Sequence, residues 1–304
     1  MPQVTSSSRP FGAVLTAMVT PMREDGSVDV DAGVRLARWL VDRGNDGLVL
    51  NGTTGEAPTT HAPEKADLVR AVVDAVGDRA FVVAGAGSND TAHAVRMAEQ
   101  AAVAGAHGLL VVSPYYSRPS QEGLARHMEA VADSTDLPVM LYDIPGRAGV
   151  RIAPDTMARL AEHPRVVAVK DATGDPVGAA RGILRTSLAW YSGDDTLYLP
   201  MLSLGAVGIV SVAAHVAAPA FAQLTRAWDT GDHAGALAAF RSMLPAIDAL
   251  NGAGMQAAAA KAGCQLLGLL DSRATRLPVT PYTDAEVSVV RDGLVRAGLL
   301  APVV

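Results

Sequence analysis

Lys170 stands where a lysine is costly. It interrupts the apolar run Val166-Val167-Ala168-Val169, and an ammonium buried among such neighbours loses hydration that nothing there replaces. A desolvated lysine gives up its proton more readily. The neutral amine that results can attack a ketone carbonyl and form a Schiff base. A structural reading competes, in which Lys170 pairs with Asp171. Successive side chains of a strand point to opposite faces, which sets these two apart. Position alone leaves both readings open.

Other reactive side chains follow similar apolar runs. Tyr142 ends Pro138–Tyr142, and its phenol could relay protons or simply close the end of a core. Thr53 and Thr54 lie in a turn bracketed by Gly52 and Gly55. They could hydrogen-bond a carboxylate or carry a proton relay, though such a turn can also be ordinary loop chemistry. Arg147, in the loop Pro145–Gly149, suits bidentate carboxylate binding or a solvated surface.

Several patterns point away from other chemistries. Gly85-Ala86-Gly87-Ser88 reads as the opening of a helix that could cradle an anion, but a full nucleotide-binding pattern is missing. Asp194 and Asp195 argue against a phosphorylated substrate. The seven histidines show no HxH or HExxH spacing, so no metal is expected. No GxSxG elbow marks a serine hydrolase.

Elements of a recognisable kind must hold these residues. Strand candidates are VLTAMVT, GLVLNG, AFVVAGAG, GLLVVSP, PVMLYDIP, VVAVKDAT, AWYSGDD and GIVSVAA. Near-continuous apolar runs suit parallel strands covered on both faces. Amphipathic segments separate them. One is Val30–Gly44, with Val34, Ala37, Trp39, Leu40 and Val41 at helical spacing. Another is Pro63–Gly77, with proline at its start and glycine at its end. This alternation predicts an α/β fold, a (β/α)8 TIM barrel with a C-terminal helical appendage; a doubly wound open sheet is the rival. Barrel enzymes place reactive groups at the C-terminal ends of their strands, where the residues above fall. After Ala214 the strand signal stops. Helices are expected from about Pro219 to Leu270, and again from Asp284 to Gly298. The expected organisation is a catalytic barrel over residues 11–230, a helical region over 231–304 and a flexible N-terminus over 1–10.

The chain has 304 residues, 49% hydrophobic and 18% charged, with net charge -6. It has no Lys/Arg-rich run, which speaks against nucleic-acid binding. Cys264 is the single cysteine; its apolar setting marks a buried core thiol. The start MPQVTSSSRP lacks the apolar stretch of a secretory signal, and no run approaches the roughly 20 apolar residues of a membrane helix. A cytoplasmic enzyme with no membrane attachment is the expectation.

Five motifs occur in order at barrel-strand spacing: GTTGE at Gly52–Glu56, SPYYSRPSQEG at Ser113–Gly123, YDIPGRAG at Tyr142–Gly149, VKDATGD at Val169–Asp175 and SGDD at Ser192–Asp195. On these, from about Gly12 to Leu300, the chain resembles the dihydrodipicolinate synthase/N-acetylneuraminate lyase family. The resemblance implies a pyruvate imine on Lys170 that becomes an enamine and attacks aspartate 4-semialdehyde. The product would be 4-hydroxy-tetrahydrodipicolinate, made for lysine and diaminopimelate biosynthesis. It implies Tyr142 as general acid/base, with Thr54 linking it to Tyr116, which would reach into a neighbouring subunit's site. A homo-oligomer follows, typically a tetramer built as a dimer of dimers. Thr53, Thr54 and the Gly193 backbone would position the pyruvate carboxylate, and Val210 would line the same pocket. Arg147 would hold the semialdehyde carboxylate or steady the tyrosines. No cofactor is implied beyond the covalent imine at Lys170.

Sister enzymes share Lys170, Tyr142 and the threonine turn, among them N-acetylneuraminate lyase and 2-keto-3-deoxy acid aldolases or dehydratases. Arg147, the Thr53-Thr54 pair and Tyr115-Tyr116 resemble the synthase branch. A third reading, a non-catalytic keto-acid-binding barrel, has little use for Lys170, Tyr142, Thr54 and Tyr116 together. One departure stands out. The positions matching the family's lysine-inhibitor site are Ala57, Ala62, Lys65, Asn89, His93 and Tyr115. Lysine-sensitive members typically carry glutamate at the His93 position and histidine at the Lys65 position. A cationic Lys65 would repel the ligand, so lysine inhibition is expected to be weak or absent.

Overall fold

The computed structural model describes residues 9–252 and 254–302. All eight apolar runs form strands: β1 Val14–Ala17, β2 Gly47–Leu50, β3 Phe81–Gly85, β4 Gly108–Val112, β5 Val139–Asp143, β6 Val166–Asp171, β7 Ala189–Ser192 and β8 Gly208–Ser211. They pair in sequence order, all parallel, and β8 closes on β1 to make a barrel rather than an open sheet. Each strand is shorter than its apolar run, because the run continues into the loop beyond its C-terminal end.

Alternation divides the apolar side chains between two cores. Leu15, Val49, Val83, Leu110, Met140, Ala168, Tyr191 and Val210 fill the barrel. Their neighbours, such as Val14, Leu48, Val82, Leu109 and Leu141, face the surrounding helices. Phe11 plugs the N-terminal end, and Gly108 makes room for it: a β-carbon there would lie 2.5 Å from the Phe11 ring. The Tyr191 hydroxyl locks the plug by donating to the Gly12 carbonyl at 2.9 Å.

The first helix, Val30–Asp42, buries Ala32, Gly33, Leu36, Ala37 and Leu40, while Val34, Trp39 and Val41 fall at the margins of that face. The second, Ala62–Val76, has the proline start and Gly77 end that its sequence foreshadows. Gly85–Ser88 does not open a helix: Gly85 ends β3, and the next helix begins at Thr91 under an Asp90 cap. Three short helices carry no clear sequence signal: Pro145–Ala148, Pro154–Ala161 and Tyr198–Ser203.

Past β8 the chain is helical: Ala214–Asp229, His233–Asn251, Gln256–Leu266 and Asp284–Arg296. The first of these starts before Pro219 and kinks at Ala217, since proline has no N–H to continue the helical ladder. Residues 1–8 of the stretch expected to be flexible lie outside the described residues. Arg9 is held, with two nitrogens donating to the Asp229 carboxylate at 2.7 Å. Among the described residues, no helix is long and apolar enough to cross a membrane.

Candidate active site

Lys170 and Tyr142 are register partners on β6 and β5, on the face shared with Ala168 and Met140. Both therefore point into the barrel near its C-terminal end. Lys170 is 5% exposed, and its Nζ lies 4.3 Å from the centre of the Tyr142 ring. Among the described residues this amine makes no hydrogen bond or ion pair. Burial lowers its pKa to about 8; the field of the Asp195 carboxylate works the other way and that of Arg147 works with burial. Asp171 faces outward and accepts from the N–H and hydroxyl of Thr173 at 2.9 and 2.8 Å, so the structural Lys170–Asp171 pair does not form.

Burial pushes the Tyr142 phenol up to about 12, against the pull of Arg147 and the Thr53 hydroxyl. The Thr53 hydroxyl is near enough to the phenol to act on it. Thr53 thus takes the place the sequence reading gave to Thr54. Thr53 lines the cavity above the barrel together with Tyr142, Tyr116 and Arg147, whereas Thr54 is 4% exposed and turns away from it. The turn that carries both bends through left-handed Asn51 (φ 55°) and ends at left-handed Glu56 (φ 57°). Gly85 permits its approach, since a β-carbon there would lie 2.2 Å from the Asn51 carbonyl oxygen. The backbone N–H groups of Thr53 and Thr54 donate to nothing among the described residues. Two adjacent free donors in a turn form a ready carboxylate site.

Gly193 differs from expectation. Its N–H donates to the Asp171 carbonyl at 2.6 Å, so it has no donor to offer a carboxylate; only its carbonyl remains. Val210 belongs to the barrel core, and with Lys170 and Gly193 it stays out of the cavity wall. Arg147 sits on the helical turn Pro145–Ala148, where a guanidinium nitrogen lies 3.4 Å from the Met255 sulfur. Tyr116 stands at the rim, 90% exposed and left-handed at φ 72°.

The cavity measures about 630 Å³. Its basic side chains are Arg147, Lys65, His61 and His93, and among the described residues no aspartate or glutamate lines it. Of the positions matched to a lysine-inhibitor site, Ala57, Lys65, His93 and Tyr115 line this cavity, while Ala62 and Asn89 do not. The Lys65 ammonium donates to the Ala57 carbonyl at 2.9 Å.

Residues 10–296 match the sequence model of the Dihydrodipicolinate synthetase family. The chain belongs to that family. It is 54% identical over 291 residues to the 4-hydroxy-tetrahydrodipicolinate synthase of Bifidobacterium animalis subsp. lactis (strain AD011), covering 96% of this chain and 95% of that one. Its fold matches the crystal structure of dihydrodipicolinate synthase from Bacillus anthracis with TM-score 0.90 and 40% identity, over 93% of this chain and 97% of that one. It matches the enzyme from Cyanidioschyzon merolae, solved with lysine bound, with TM-score 0.92 and 39% identity, over 95% and 99% of the two chains. The resemblance read from the five motifs is thereby established.

In this member of the dihydrodipicolinate synthetase family, the C-terminal helices grip the mouth of the barrel at two places the sequence reading passed over. On one side Asp195, 3% exposed, accepts from the Ser211 hydroxyl, from the Ala213 N–H at 2.9 Å and from Asn251 Nδ2 at 2.9 Å. The carboxylate read as a deterrent to phosphate is a structural hub. On the other side Glu56 meets Lys261 and the backbone of Arg276. Lys261 could have been found by the test that found Lys170, because it too is a lysine in an apolar run, Ala257–Ala262. Cys264 is fully buried and its thiol pushed up to about 12, as suits an inert core residue.

Proposed function

We propose that the protein is a Schiff-base lyase that condenses pyruvate with L-aspartate 4-semialdehyde to give 4-hydroxy-tetrahydrodipicolinate, within lysine and diaminopimelate biosynthesis. The observation that carries this reading is the buried Lys170 amine, unpaired among the described residues, at 4.3 Å from the Tyr142 ring, beneath a cavity that Arg147 and Lys65 line. Both substrates are carboxylates. The 54% identity to a relative named for this synthase supports the choice of acceptor over a sugar-derived 2-keto acid.

The chemistry balances on this chain's residues. The neutral Lys170 amine adds to C2 of pyruvate, and the carbinolamine loses water to give the imine. Removal of a C3 proton yields the enamine, whose C3 attacks the aldehyde carbon of the semialdehyde while the aldehyde oxygen takes up a proton. The substrate's own amino group then displaces Lys170 at C2, closing the ring and freeing the lysine. Tyr142 is the proton-transfer group, because its hydroxyl keeps its proton until a base takes it. Thr53 connects Tyr142 toward Tyr116. The free N–H groups of Thr53 and Thr54 hold the pyruvate carboxylate, with Val210 below, and Arg147 holds the semialdehyde carboxylate. The reaction needs no cofactor beyond the covalent imine. The reading takes residues 11–230 as the catalytic barrel and 231–304 as its helical support, in a cytoplasmic homotetramer in which Tyr116 serves the neighbouring site.

The test is reduction of the protein with borohydride in the presence of pyruvate, followed by intact mass, with Lys170→Ala as control. A pyruvyl adduct on the wild type alone supports the imine; no adduct refutes it. Turnover of pyruvate with aspartate 4-semialdehyde, and none with N-acetylneuraminate, then separates this reading from the sister lyases.

A further inference from the structure

Lys261 and Glu56 form a pair closed off from water, their side chains 0% and 1% exposed, with Nζ 2.5 Å from Oε1. Removing two charges from water costs free energy that a buried pair often fails to recover against apolar residues of the same volume. Its presence therefore suggests a service other than stability, and its position suggests which. Glu56 ends the turn that carries Thr53, and its own N–H donates back to the Thr53 carbonyl at 3.1 Å. Its left-handed backbone, φ 57°, is unfavourable for a residue with a side chain and needs outside support.

That support comes from the far end of the chain. The second Glu56 oxygen accepts from the Arg276 N–H at 2.9 Å, and Lys261 also donates to the Ala274 carbonyl at 2.6 Å. The Arg276 side chain then ties down the rest of the loop, donating to the Thr59 carbonyl at 2.8 Å and to the Glu64 carboxylate. Every carboxylate oxygen of Glu56 is thus spoken for by the segment Lys261–Arg276, and none faces the cavity.

We propose that Glu56 and Lys261, assisted by Arg276, are positioning residues that hold the Thr53 hydroxyl against the Tyr142 phenol. The inference rests on the synthase reading above. It makes the C-terminal helices part of the proton-transfer apparatus, acting through the turn and touching no substrate.

A double-mutant cycle on turnover tests it, using Glu56→Gln, Thr53→Val and their combination in the full-length protein. Glu56→Gln keeps the side chain's shape and an acceptor for Lys261 while removing the charge. It should lower kcat about tenfold in the wild-type background, a modest share of what general acid–base assistance supplies. In the Thr53→Val background it should lower kcat by less than about twofold, because the group it positions is already gone. A merely structural role lowers turnover equally in both backgrounds, and that result overturns the inference, as does an unchanged kcat in the wild-type background. Should Glu56→Gln not fold, the same cycle with Arg276→Met applies, since that side chain is partly exposed and holds the same loop. A wild type that traps no pyruvate sinks the synthase reading and this inference with it. Additive losses in an active wild type sink the positioning role alone.

Discussion

Replacing Lys170 with methionine should abolish turnover and yet make the protein more stable. Burial lowers this lysine from its ordinary 10.5 to about 8. Each unit of depression is worth about 1.4 kcal/mol, so holding the ammonium in the barrel costs roughly 3 kcal/mol at neutral pH. Contact between Nζ and the Tyr142 ring, at 4.3 Å, returns about 1 kcal/mol of that. Methionine has similar length and no charge, so Lys170→Met should gain about 2 kcal/mol near pH 6.5, or about 3 °C in Tm for a chain of this length. The sign follows from the proton balance. Below pH 8 both folded and unfolded wild type are protonated and the full cost applies. Between 8 and 10.5 the folded chain has released the proton while the unfolded chain still binds it, so wild-type stability rises with pH. The advantage of the variant should therefore shrink toward about 1 kcal/mol or less by about pH 9.5. Urea unfolding of both proteins at the two pH values measures it. A variant no more stable than wild type at the lower pH, or an advantage that fails to narrow, would refute the claim that burial depresses Lys170.

Thr53→Val should lower kcat about a hundredfold, while Thr54→Val, which keeps its backbone N–H, should leave turnover near wild type. Equal effects in a steady-state assay would show that the turn presents its hydroxyls otherwise. Mixing Tyr116→Phe subunits with Lys170→Ala subunits should restore about a quarter of wild-type activity, because mixed dimers then hold one complete site in two and form half of all dimers. If mixing restores nothing, Tyr116 serves its own chain. L-lysine at submillimolar concentration should leave the velocity unchanged, since Lys65 and His93 line the cavity and no carboxylate there meets an ammonium; inhibition in that range would contradict this. The double variant Lys65→His, His93→Glu should gain sensitivity to it.

The barrel was legible because parallel strands covered on both faces read as apolar runs. Their C-terminal ends were less so. Runs such as Val14–Thr20 stay apolar after the ladder stops at Ala17, and only pairing tells strand from loop. The helix Pro145–Ala148, which carries Arg147, spans four residues and is too short to show a period. Lys170 and Tyr142 were readable because strand alternation fixes which way they point. Thr53 and Thr54 follow the end of β2 at Leu50, where alternation no longer applies. Which threonine faces the cavity is set by a left-handed turn and by Glu56, whose partners lie more than two hundred positions along the chain (205 for Lys261). The same holds for Gly193, whose N–H is consumed by a carbonyl on the neighbouring strand.

Two lysines in apolar surroundings show where sequence reasoning must hand over to structure. Both are buried, and burial lowers the pKa of both. Lys261 receives a carboxylate from Glu56 and is held in a buried ion pair. Lys170 has carboxylates nearby that are committed elsewhere: Asp171 faces outward onto Thr173, and Asp195 is held by Ser211, Ala213 and Asn251. Desolvation is local and can be read from the flanking residues. The presence or absence of a compensating carboxylate is a property of the fold, and it is what leaves the Lys170 amine unpaired among the described residues.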